Sequence, residues 1–289
     1  MELKDCIVDG SKHFHIADAP TSAKIPKSER EHYEELTDAN RQRIIELQDR
    51  LYAQGCEGVL VMFQAMDAAG KDSTIKHVMS GMNPQGVEVY SFKTPSKEEL
   101  AHDYLWRAYS HLPKRGNIGV FNRSYYEDVL VVRTHGLWHD YNMPKRCLDM
   151  SEKDFFAARY KHIAGFEKHL YENGYRLVKV FLNVGMDEQK KRFIARIDEP
   201  AKNWKFSPAD LDERPLWPKY MEAFEDAING TSTKHCPWYV IPADQKWYAR
   251  YLVSEALLAT LEDINPQYPT VSEEDLETMA VCKVRLETE

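Results

Sequence analysis

The sequence predicts an α/β fold built on a parallel sheet of five strands, and three observations lead there. Five short runs, at 58–63, 87–92, 117–121, 176–183 and 238–241, are rich in β-branched and aromatic residues, as strands buried in a covered sheet are. Helical periodicity separates each run from the next, the alternation that gives parallel pairing. At 289 residues and 43% hydrophobic content, without internal repeats or low-complexity linkers, the chain reads as one domain over 1–289 with peripheral additions.

The elements follow in order. Ser28 and Glu31 have capping-box spacing and open an N-terminal helical extension over 28–54. Tyr33, Leu36, Ile44, Leu47 and Leu51 form its apolar stripe, Thr37-Asp38 marks a candidate break, and Gly55 ends it. After the first strand, a small-residue turn leads into a helix with Ile75, Val78 and Met79 on one face and Gly81 as its end. Ser96 with Glu99 opens a helix running to Pro113; Ser151 with Asp154 opens another through Tyr160 and Leu170 to Gly174. Asp187 begins a third, with Phe193, Ile194 and Ile197 as its packed face. Residues 264–289 form an acidic tail with helical pattern over 272–279.

The net charge of −8 argues against a diffuse polycationic surface, so neither nucleic acid nor a membrane is expected as a partner. That excess lies at the ends: residues 60–205 hold 23 Lys+Arg against 18 Asp+Glu, which suits a local anion site. Five cysteines without C-x-x-C spacing suggest neither a disulfide framework nor a zinc cluster, and with no apolar signal core or membrane-length stretch the expected location is cytoplasmic.

Three segments carry chemistry. The first follows the first strand: Gln64, Ala65, Met66, Asp67, Ala68, Ala69, Gly70, Lys71, Asp72 and Ser73. Strand, small-residue turn and helix N-terminus make a phosphate cradle of backbone N–H groups and dipole, with Lys71 as a mobile cation. It departs from G-x-x-x-x-G-K-[ST] at Ala65, where a Cβ limits positive φ, and at Asp72, which replaces the metal-binding hydroxyl; Asp67 could hold the metal instead. The second segment, Asn122 to Asp128, leaves the third strand at the same sheet edge, where ligands bind. Glu127 is its charged metal candidate, and Arg123 offers a planar fork for phosphoryl oxygens. Alternatively, Arg123 and Glu127 are an ordinary i,i+4 pair. The third segment carries Arg192, Arg196, Lys202 and Lys205 after the fourth strand, as a lid over 186–215 closing on phosphates. Surface pairs such as Asp187 with Lys191 and Glu188 with Arg192 explain some of its bases, but not Arg196, Lys202 and Lys205 together.

Together these segments resemble the second family of polyphosphate kinases, the P-loop polyphosphate:nucleotide phosphotransferases. The likeness runs over roughly residues 30 to 255: Asp67-Ala-Ala-Gly-Lys71, the 92–95 segment followed by Leu105-Trp106-Arg107, Phe121-Asn-Arg-Ser-Tyr-Tyr-Glu127, the block from Arg196 to Ser207, and Trp238 to Asp244. The resemblance implies a P-loop kinase-like three-layer α/β/α sandwich with a helical lid. It implies reversible transfer of a terminal phosphate from polyphosphate to ADP, and to AMP and guanine nucleotides, with Mg²⁺ or Mn²⁺ and no covalent intermediate. Asp67 and Lys71 match the family's loop acid and lysine, and Glu127 is similar to the acid of the subgroup acting on both mono- and diphosphates. Asn122 stands where many members have Asp. Lys93, Thr94, Pro95, Asn122, Tyr126 and Arg133 are carried over for nucleotide contacts, Asp67 and Glu127 for metal, and a homodimer or homotetramer is implied. Two other readings share these residues: an ATP-using P-loop kinase of a nucleoside monophosphate or metabolite, and a nucleotide-binding regulator without turnover.

Overall fold

The computed structural model describes residues 1–289. Its strands are β1 (Ile7–Val8), β2 (Gly58–Gln64), β3 (Val87–Ser91), β4 (Ile118–Asn122), β5 (Tyr175–Asn183) and β6 (Trp238–Pro242). They form one sheet in the order β1-β6-β5-β2-β4-β3. All seven residues of β2 are buried, as the centre of a sheet covered on both faces requires. The five strands legible in the sequence pair in parallel, and β1 adds a sixth at the edge, antiparallel, with Ile7 opposite Tyr239. Chain order reverses about β2, since β3 and β4 lie to one side of it and β5 and β6 to the other. Its carboxyl end is therefore a topological switch point.

Twelve helices connect the strands: α1 (Arg30–Gln54), α2 (Lys71–Val78), α3 (Lys97–Ala101), α4 (Trp106–Tyr109), α5 (Glu127–His135), α6 (Lys145–Leu148), α7 (Glu152–Glu172), α8 (Met186–Asp198), α9 (Ala209–Asp212), α10 (Trp217–Thr231), α11 (Lys246–Ile264) and α12 (Glu273–Glu287). α1, α2 and α11 pack together on one side, and α5, α7 and α10 on the other. A single cluster of 52 buried apolar residues fills the interior.

Local expectations met different fates. Ser28 and Glu31 form no capping box; residues 27–29 make a 3₁₀ turn and the helix begins at Arg30 without a side-chain cap. Thr37 does not break α1, which runs on through it; its hydroxyl donates back to the Tyr33 carbonyl (2.7 Å) inside the helix. Gly55, at φ +66°, closes that helix with a bond to Leu51. Ser96 and Glu99 do form a capping box, but α3 stops at Ala101, where His102 turns extended, and α4 starts afresh. Ser151 caps α7 through the Asp154 N–H (3.2 Å). α2 ends at Val78, before Gly81.

In α8 the packed face is only in part the expected one, since Phe193 turns inward as expected. Ile194 and Ile197 are exposed, and the inward stripe is Gln189, Arg192 and Phe193. α12 buries none of its residues. No helix is long and apolar enough to cross a membrane. Inside the core, Lys179 donates to Glu167 (2.6 Å) and to the Thr231 carbonyl (2.9 Å), while Glu167 accepts from the hydroxyls of Tyr125 (2.9 Å) and Tyr126 (2.6 Å).

Candidate active site

The register fixes the site. Phe63 of β2 lies beside Asn122 of β4, so the loops leaving the two strands emerge together, joined by the Arg123 N–H bonding to the Phe63 carbonyl (3.0 Å). After β2 the chain turns through 65–70 into α2, with Gly70 at φ +111° as N-cap. The first-turn amides of α2 have no preceding helical carbonyls to bond, and face the turn as anion donors. The Ser73 hydroxyl donates back to the Gly70 carbonyl (2.9 Å). Asp72 accepts from Asn122 (2.7 Å), tying the two strand ends. Ala65 has no positive φ, so its Cβ brings no backbone strain; Ala68, at φ +59°, carries that conformation instead.

Lys71 folds back over the loop, its Nζ 2.8 Å from the Ala65 carbonyl and 3.5 Å from that of Met66. Burial pushes its pKa down to about 8, with Arg123 adding to the shift and Asp67, Glu127 and Asp72 opposing it. Arg123, itself left-handed at φ +65°, spans both carboxylates: Nη2 is 3.0 Å from Asp67 and Nη1 3.2 Å from Glu127. The i,i+4 pair is therefore real, but forms one half of a carboxylate–guanidinium–carboxylate bridge. Hydrogen bonding turns the Gln64 amide so that its nitrogen meets Glu127 (2.9 Å) and its oxygen the Ser124 N–H (2.9 Å).

Three cavities converge on this bridge. A trough of about 410 Å³ is lined by Lys71, Lys93, Arg123, Arg192, Arg196, Lys202, Lys205 and Lys246, against only Asp67 and Asp72. A second cavity, about 430 Å³, is lined by Phe92, Lys93, Thr94, Pro95, Tyr104, Arg107, Arg123, Glu127, Val131, Val132 and Arg159 among others. A smaller one of about 200 Å³ lies between Asp67, Arg123 and Glu127 on one side and Asp210, Glu213 and Tyr220 on the other. The first suits an anionic chain, and the second has the mixed apolar and polar wall of a small-molecule site.

Several sequence-predicted residues stand elsewhere or act otherwise. Tyr126 is fully buried and bonded to Glu167 and Thr231, so it belongs to the core network and not to a nucleotide pocket. Arg133 is turned to Asp226 (2.7 Å), Glu222 (3.0 Å) and Tyr160 (3.1 Å), and lines none of these cavities. Asn122 lines the trough, not the nucleotide-sized cavity. Arg192 reaches the trough wall, yet its guanidinium is committed to the carbonyls of Ala68 (3.1 Å), Ala69 (2.6 Å), Ala243 (2.7 Å) and Asp244 (3.1 Å). It holds the loop in shape. Of the remaining bases of the third segment, Arg196 pairs with Asp210 (3.0 Å) and Lys202 with Glu199 (2.5 Å), whereas Lys205 has no acidic partner, as expected, and lies over the Trp204 ring (4.9 Å). Lys191 faces Glu188, not Asp187.

Further side chains shape the site, of which the sequence marks only Arg107, in the Leu105-Trp106-Arg107 block. Gln189 donates to the Asp67 carbonyl (2.9 Å). Arg159 pairs with Asp128 (3.3 Å) and stacks 3.9 Å over Tyr104, and Arg107 donates to the Lys93 carbonyl (2.7 Å). Arg159 had a signal: a charge between Phe155 and Ile163 on an apolar stripe. Lys246, at the start of α11, had none.

The Polyphosphate kinase 2 (PPK2) family model matches residues 27–269. An ADP-polyphosphate phosphotransferase of Rhodopseudomonas palustris is 51% identical over 251 residues, 86% of each chain. An AMP/ADP-polyphosphate phosphotransferase of Meiothermus ruber is 48% identical over 236 residues, 82% of this chain and 83% of that protein. Among solved structures, a polyphosphate kinase 2 from Arthrobacter aurescens superposes with a TM-score of 0.84 at 38% identity, covering 97% of this chain and 98% of the other.

Proposed function

The chain belongs to the polyphosphate kinase 2 family, a family of phosphotransferases, and from that premise we propose that it transfers the terminal phosphoryl group of inorganic polyphosphate to ADP and AMP, reversibly. The observation that carries this reading is the meeting of a basic trough and a nucleotide-sized cavity at one Asp67–Arg123–Glu127 bridge. A polyanion in the trough and a nucleotide in the cavity bring donor and acceptor phosphates together there. Guanine nucleotides are further acceptors of the same pocket.

Asp67 and Glu127 offer only carboxylate oxygens, a hard donor set that fits Mg²⁺ or Mn²⁺. When bound, such an ion supplies neutralisation of phosphoryl charge. This chain's own residues do the rest. Lys71 and the amides at the start of α2 bind the phosphates, Arg192 fixes the carbonyl side of the loop so that those amides point outward, and Arg123 stays within reach of both carboxylates and the transferring group. Little covalent chemistry is required, so the transfer is direct and in line, without a phosphorylated enzyme. Glu127, which reaches the bridge from the acceptor cavity, supports AMP as a second acceptor. A homodimer or homotetramer is the assembly we expect by family likeness.

The test is incubation with ADP and polyphosphate as the sole phosphoryl donor. ATP should accumulate when Mg²⁺ or Mn²⁺ is present and stop accumulating with a chelator. No ATP under these conditions, with turnover when ATP and a nucleoside monophosphate are supplied, would assign the chain to ATP-dependent kinases instead.

A further inference from the structure

The N-terminal segment carries a His-x-His pair, His13-Phe14-His15, that phosphoryl transfer does not use. His15 is extended, at φ −115° and ψ 117°, and in extended chain alternate side chains face one way. The two imidazoles accordingly lie side by side, ring centroids 4.6 Å apart. α10 supplies their counterpart, with Glu225 and Asn229 one turn apart on it. Asn229 accepts from the Phe14 N–H (2.8 Å) and donates to the Phe14 carbonyl (2.9 Å), while one oxygen of Glu225 accepts from the Ile16 N–H (2.8 Å). These three bonds clamp the backbone of the pair against α10. They leave the other oxygen of Glu225 facing His15 Nδ1 at 3.6 Å and His13 Nε2 at 4.0 Å.

We propose that His13, His15 and Glu225 form a second metal site, for a borderline transition ion of the Zn²⁺ type, with its fourth position open to water. Their three ligand atoms already lie within 4.8 Å of one another. Zn–N and Zn–O bonds of about 2.0–2.2 Å place tetrahedral ligands about 3.4 Å apart, so the exposed imidazoles need to close by about an ångström. The chemistry separates this site from the catalytic one: two imidazoles and one carboxylate suit Zn²⁺, whereas an all-carboxylate set suits Mg²⁺ or Mn²⁺. The Ile16 N–H is the outer partner that orients the ligating carboxylate. Both histidines are more than half exposed, so an ion reaches them from solvent.

Occupancy would fasten a strap. Downstream of His15 the chain is held by Asn183, which donates to the carbonyls of Ala19 (3.1 Å) and Pro20 (3.3 Å), and by Asp244, which accepts from the Thr21 hydroxyl (2.8 Å). The Asp244 carbonyl is one of those gripped by Arg192. An ion at one end of the strap therefore stabilises a segment whose other end adjoins the residue shaping the phosphate loop.

The experiment titrates the metal-stripped full chain with Zn²⁺ in excess Mg²⁺, by calorimetry and by thermal unfolding. Wild type should take up one Zn²⁺ more than the double variant His13→Ala/His15→Ala, whose exposed substitutions leave the core intact; its free thiols are common to both proteins. Glu225→Gln should weaken that site by about tenfold or more. Zn²⁺ should raise the unfolding midpoint of wild type only. Equal stoichiometry and equal midpoint shifts in wild type and the double variant would overturn the site and leave the cluster as two surface ion pairs.

Discussion

Ala68 and Arg123 are non-glycine residues held in left-handed backbone, at φ +59° and +65°, one in each loop that builds the site. Each costs about 1–2 kcal/mol relative to right-handed backbone, and each is held by its surroundings. The Ala68 carbonyl is bound by Arg192, and the Arg123 N–H by the Phe63 carbonyl. Such strain marks loops shaped for ligand approach. Lys71 lies at the same edge, is not a member of the buried apolar core, and bonds to two loop carbonyls. Lys71→Ala should therefore lower turnover by about 10²-fold or more, the scale of losing one donor to transferring charge, with an unfolding transition close to wild type. Near-normal kcat for that variant would remove the loop from the mechanism. Glu127→Asn shortens the side chain by one methylene and withdraws a charge from the bridge to Arg123. AMP phosphorylation should fall further than ADP phosphorylation in paired rate measurements; equal losses would point to a role common to both acceptors.

Elements whose chemistry is written in consecutive residues were readable before the structure. The five parallel strands announce themselves as apolar runs, and the Ser96 and Ser151 caps as polar residues three before an acid. Two local signals failed, since Ser28 and Glu31 form no capping box and the helix opened by Ser96 stops at Ala101; the other misses were features decided by distant partners. β1 is two residues long and exists because β6 offers an edge. α8 looked amphipathic with Ile194 and Ile197 inward, but the carbonyls of Ala68, Ala69, Ala243 and Asp244 draw Arg192 in and rotate those isoleucines to solvent. Tyr126 sits in a motif rich in site residues, and only the placement of Glu167 and Thr231 reveals that it points the other way. The loop acid, the lysine and Glu127 were legible at the site; Gln189, Arg159 and Lys246 arrive from elements remote in sequence. The packing of α7 on β5 carries its own prediction. Lys179 and Glu167 are fully buried and satisfy each other. Lys179→Met should destabilise the fold by about 3–5 kcal/mol, because it strands a buried carboxylate, and the double change Lys179→Met with Glu167→Gln should recover part of the loss. Denaturant unfolding of both variants checks this, and a single variant as stable as wild type would contradict it.

On the scale of the whole molecule, the sign of the net charge is a poor guide to the ligand. The protein carries −8, yet its trough presents eight basic side chains against two acidic ones. Attraction of a polyanion is then a local field effect, and local fields between exposed groups are screened over about 8 Å at physiological ionic strength. Raising the salt concentration should increase the KM for polyphosphate several-fold while changing kcat little, provided the metal is kept saturating. A salt-independent KM would mean that the bases lining the trough do not meet the donor. The acidic α12, by contrast, stands clear of the core with Leu276, Met279, Val284 and Leu286 exposed, remote in its packing from the sheet edge where the charge matters.

The bridge through Arg123 also has a thermodynamic meaning. One guanidinium lines the basic trough, the larger cavity and the acidic recess, and it is shared by Asp67 and Glu127. A ligand on either side that draws this cation toward itself alters the carboxylate seen from the other side. On the proposed function, occupancy of the two sites should be linked, and linkage is reciprocal: whatever factor a nucleotide imposes on the affinity for polyphosphate, polyphosphate must impose on the affinity for the nucleotide.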